Sequence, residues 1–75
     1  MTAEGRLYKI AVNLRNTIVG KEFLLETYRT SLAAALENER IGRGNIATRF
    51  AMEATIQYIE LNLTELRAIL KDVEA

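Results

Sequence analysis

The sequence predicts an all-α fold: a long antiparallel helical hairpin that dimerises into a four-helix bundle. Three observations carry this. Proline is absent and alanine, leucine, glutamate and arginine are plentiful, so helix is favoured everywhere except near the glycines. Two long stretches repeat apolar residues at alternating steps of four and three, the spacing of a seam along one helical face. Between them lies one glycine-rich break, short enough to fold the second stretch back along the first.

The second stretch is the more regular. Met52, Ile56, Ile59, Leu63, Leu66, Leu70 and Val73 keep the four-three rhythm without a miss. The first runs through Leu7, Ala11, Leu14, Ile18, Leu25, Tyr28, Leu32 and Ala35, with Lys21 at one seam position. Thr2 is placed to cap it, and Glu4 sits in the first turn, where the helix dipole favours an anion. The rhythm keeps its phase across Gly20, where a turn would reset it. The first helix is therefore expected unbroken from about residue 4 to about residue 40, with Gly20 costing ~1 kcal/mol against alanine. The competing reading breaks at Gly20 and gives three helices.

Ile41-Gly42-Arg43-Gly44-Asn45 is the break. Gly42 supplies the left-handed conformation that stops a helix, and Asn45 caps a second helix from about residue 46 to about residue 73. Residues 1–75 form a single domain. Folding about Gly44 sets Leu32 near Ile56, Tyr28 near Ile59, Leu25 near Leu63, Lys21 near Leu66, Ile18 near Leu70 and Leu14 near Val73. The seams were not used to place the loop, so their alignment supports the hairpin independently. Charge agrees, since residues 1–21 carry a net +3 and residues 60–75 a net −2.

Composition narrows the rest. A chain of 75 residues buries a thin core, and natural chains of that size are often stapled by disulfides, a metal or oligomerisation. Cysteine and histidine are both absent, which removes disulfides and the common zinc sites and leaves oligomerisation. No metal or cofactor is expected. Formal net charge is zero, so general attraction to nucleic acid or anionic lipid is not expected. No apolar run reaches the ~20 residues a membrane span needs, and residues 1–15 lack a signal-peptide core. A cytoplasmic protein with no membrane association is the expectation.

Two helices leave apolar residues over. Phe50, Ala54, Tyr58 and Leu61 stripe the second helix away from its seam, and Tyr8, Val12, Val19 and Phe23 do the same on the first. A homodimer covering Val19, Phe23, Phe50, Ala54, Tyr58 and Leu61 would bury much of this surplus. Leu7, Tyr8, Ile10 and Val12 lie at or beyond the expected end of the second helix and form the candidate contact for another protein.

Candidate chemistry is sparse. Arg40, Arg43 and Arg49 flank the hairpin tip, where a helix start could receive an anion. A solvated turn diluted by Glu37 and Glu39 accounts for the same residues, and the lysine and hydroxyl of a P-loop are missing. Lys21 in the seam, with Glu65 expected nearby, has the features of a register-setting polar residue rather than a catalytic amine. Glu22 and Glu26 lack the histidines of a di-metal bundle, and Arg29 is a ready companion for Glu26. Tyr28 and Tyr58 fit packing better than a stacking platform.

These readings converge on a non-catalytic interaction or regulatory protein, of the adaptor kind, acting through a rigid helical surface. The alternative is a small nucleic-acid-binding bundle using Arg40, Arg43 and Arg49, with Lys9 and Arg15. An enzyme with a site between protomers ranks last.

Overall fold

Residues 2–75 are described by the computed structural model. They form two helices, α1 (Ala3–Arg40) and α2 (Ile46–Glu74), with no strand among the described residues. At the start of α1 the Thr2 hydroxyl accepts a hydrogen bond from the Gly5 N–H at 3.0 Å, satisfying a donor that the first turn leaves free. The helix continues through Gly20 without interruption. A β-carbon there would meet no atom within 4 Å, so neither a turn nor a close approach requires glycine at that position.

The end of α1 does require it. Gly42 has φ +78°, the left-handed region. Its N–H donates to the Glu39 carbonyl (3.0 Å) and the Arg43 N–H reaches back to Asn38 (2.7 Å), the paired bonds of a Schellman stop. Gly44 is needed for a different reason. A β-carbon at Gly44 would lie 2.5 Å from the Glu39 backbone nitrogen, so the returning chain passes against the last turn of α1 only because that atom is absent. Asn45 then starts α2, its Oδ1 accepting from the N–H groups of Ala47 (2.8 Å) and Thr48 (3.4 Å).

Along the seam, Ile18, Leu25, Ile56, Ile59 and Leu63 are buried, and Tyr28, Leu32, Leu66 and Leu70 pack against them. Leu63 is the deepest, 1 % exposed. The register is antiparallel: Arg15 meets Glu74, Glu22 meets Arg67, Arg29 meets Glu60 and Glu39 meets Arg49. Each of these pairs is centred in sequence on Gly44 or between Gly44 and Asn45.

The result is a rod of 59 × 15 × 15 Å. Its radius of gyration, 17.2 Å, is well above the ~11 Å of a compact chain of this length. Its accessible surface is 5647 Å², against about 4,700 Å² for a compact monomer of the same mass. Two helices side by side have no inside beyond one seam, and the surplus surface follows from that.

Candidate interaction surface

Three kinds of surface result, and each follows from where a residue falls relative to the seam. The first is a charged flank. Arg15, Glu22 and Arg29 each stand one position after a seam residue of α1, and Glu74, Arg67 and Glu60 do the same on α2. Seven-residue spacing keeps each set in line along its helix. Arg29–Glu60 closes at 3.5 Å and Arg67–Glu22 at 3.2 Å, with Arg15–Glu74 at the far end. Signs alternate along each helix, so a slip by one heptad would place like charges together. Between these pairs runs an open groove of about 480 Å³, floored by Leu25 and Leu63.

The ladder corrects one sequence expectation. Arg29 pairs with Glu60 across the hairpin, not with Glu26 along its own helix. Lys21 brings a second correction. It is half-buried in the seam as placed, yet no ion pair joins it to Glu65. Glu65 stands roughly 100° around the helix from Leu66 and 160° from Leu63, so it points outward and is exposed.

At the hairpin tip, Arg40 is held by Glu37, its Nε donating to Oε2 at 2.9 Å. That bond keeps the Glu37 carboxyl below the ordinary carboxylate range and raises Arg40. Arg49 donates to Glu39 at 2.7 Å and to Glu53 at 3.3 Å, and these two partners raise it in turn. Its guanidinium lies over the Phe50 ring, 4.8 Å from the centroid. Of the three tip arginines, Arg43 alone makes no ion pair. Thus the structure brings Arg40, Arg43 and Arg49 to one end but engages two of them internally.

Apolar surface is the third kind. At the free end of α1, Leu7, Tyr8 and Ile10 are 48 %, 70 % and 45 % exposed, beyond the last turn of α2, while Val12 is half-buried. Val19 and Phe23 are exposed on α1, and Phe50, Ala54, Tyr58 and Leu61 on α2. These last two groups do not share a face. Phe23 stands roughly 140–160° around α1 from Ile18 and Leu25, and Leu61 roughly 160° around α2 from Ile59 and Leu63. Each looks directly away from the common seam, so they point to opposite sides of the rod.

The two backs also differ in charge. The back of α1 carries Lys9, in no ion pair, while Glu26 lines the groove on the charged flank. On α2, between Ile46 and Thr64, the charged residues are Arg49, Glu53 and Glu60. Every one is engaged, Arg49 with Glu39 and Glu53, and Glu60 with Arg29. The outer surface of that span therefore presents no free charge. Sequence reading found Phe50, Ala54, Tyr58 and Leu61 but missed Ala47 and Ala51. With these two, a second four-three series emerges: Ala47, Ala51, Ala54, Tyr58, Leu61. The spacing was visible in the sequence, but alanines give little hydrophobic signal.

No group of metal-binding side chains forms among the described residues, and no helix there is long and apolar enough to cross a membrane. No protein-family model matches this sequence, and no curated protein or solved structure matches it either.

Proposed function

We propose that this chain is a non-catalytic interaction protein, regulatory or adaptor in kind, which presents a rigid helical surface to another protein and assembles with a second copy into a four-helix homodimer. One observation carries the reading: roughly 1,000 Å² of surface beyond that of a compact monomer, with large apolar side chains exposed upon it. An isolated hairpin gains nothing from Tyr8 or Tyr58 in water, whereas a docked one buries them. The free end of α1 is the contact region for the partner protein, since Leu7, Tyr8 and Ile10 have no opposing helix there. Of the tip arginines only Arg43 is unengaged, which weakens the case for a nucleic-acid-binding end.

The test is affinity capture from the native cell, comparing the wild-type chain with Tyr8→Ala and Val12→Asp. Both variants are expected to lose the partner while circular dichroism shows unchanged helicity. Equal capture by all three chains would reject the free end as the contact region.

A further inference from the structure

We propose that the outer face of α2 from Ala47 to Leu61 is the homodimer contact, closed by the same face of a second copy running antiparallel, with the two-fold axis at Ala54. This deepens the homodimer reading above and rests on it. The first support is the distribution of charge. Interface centres are depleted of charged side chains, and on this span each charge is turned back into an ion pair within the hairpin. The back of α1 keeps one unpaired charge, Lys9, towards its free end.

The second support is shape. The series begins small, with Ala47, Ala51 and Ala54, and ends large, with Tyr58 and Leu61. Antiparallel pairing about Ala54 sets Leu61 over Ala47 of the second copy and Tyr58 opposite its Phe50, beside Ala51. The two Ala54 residues meet at the axis, where a small side chain lets the backbones approach. Parallel pairing would instead set Tyr58 against Tyr58 and leave alanine facing alanine. A face whose two halves complement each other fits a second copy of itself, because a two-fold contact must be self-complementary.

Phe50 supplies the third support. It lies beside the stripe, 55 % exposed, with one ring face covered by Arg49, which Glu39 and Glu53 hold in place. An aromatic ring held in position before docking loses little freedom on binding, and the same two-fold axis brings it to Tyr58 of the second copy. Because this face lies opposite the seam, the four helices form a row, α1–α2–α2–α1, rather than a square bundle.

The experiment measures solution mass by light scattering or sedimentation for the wild type, Ala54→Arg and Phe23→Arg, with helicity checked for each. It adds oxidation of Ala54→Cys and Phe23→Cys, which is clean because the chain has no cysteine of its own. The wild type and Phe23→Arg are expected at two chains. Ala54→Arg should weaken dimerisation by about a hundredfold or more, leaving one helical chain. Ala54→Cys should form a covalent dimer and Phe23→Cys should not. A two-chain wild type whose Ala54→Arg variant stays dimeric, or whose Phe23→Cys cross-links instead, would overturn this face while sparing the homodimer. A single-chain wild type would remove both.

Discussion

The charged flank and the outer face of α2 are built from the same helix and behave as opposites. On the flank, Glu60, Arg67 and Glu74 reach across to α1 and fix which residue lies beside which. On the outer face between Ala47 and Leu61 no charge is free, and Phe50, Tyr58 and Leu61 stand in solvent. Exposed ion pairs contribute little stability each, so the ladder acts chiefly by penalising the wrong register. Apolar burial is what holds the seam, and on the outer face the same apolar chemistry is present without anything to bury it. Charge thus specifies the fold within one chain, and its withdrawal leaves a surface fitted to another.

The sharpest way to break this comparison is to cut the same side chain from each side. Leu63 is 1 % exposed and Leu61 60 %, two residues apart on one helix. With Ala54→Arg as a monomeric background, Leu63→Ala should cost roughly 2–5 kcal/mol in urea unfolding, whereas Leu61→Ala should stay within about 0.5 kcal/mol. Equal losses would mean that the outer face is packed within the single chain.

A smaller effect tests the ladder. Glu22→Arg and Arg67→Glu should each lower stability, and the double charge swap should recover it, with a coupling of about 0.2–1 kcal/mol that shrinks as salt rises. Additive losses, with no recovery in the double variant, would show that the Glu22–Arg67 contact specifies nothing.

Much of the helical architecture was legible because it rests on short-range rules. The absence of proline, the phase kept across Gly20 and the Asn45 cap each speak about a few neighbouring residues. Partnerships between helices were harder. Arg29 has Glu26 three residues away, and nothing local says that Glu60 will be preferred; the cross-helix pair is found only by placing both helices on a common register. Glu65 was misplaced because a position one residue from the seam can fall on the flank or on the back, depending on the side from which it is counted. The need for glycine at position 44 was hidden too, since it comes from the passing Glu39 backbone rather than from a turn signature. The candidate surface was half visible: its large residues announced themselves, while Ala47 and Ala51 gain meaning only once the charges around them are seen to be spoken for.

The hairpin itself can be tested with spin labels at Asn16 and Asp72, both exposed, in chains diluted with unlabelled protein so that only distances within one chain register. Helices packed side by side should place the labels within about 20 Å, the interhelical spacing plus two tethers. A separation near 80 Å, the span of that stretch as one continuous helix, would contradict the antiparallel seam on which every surface described above depends.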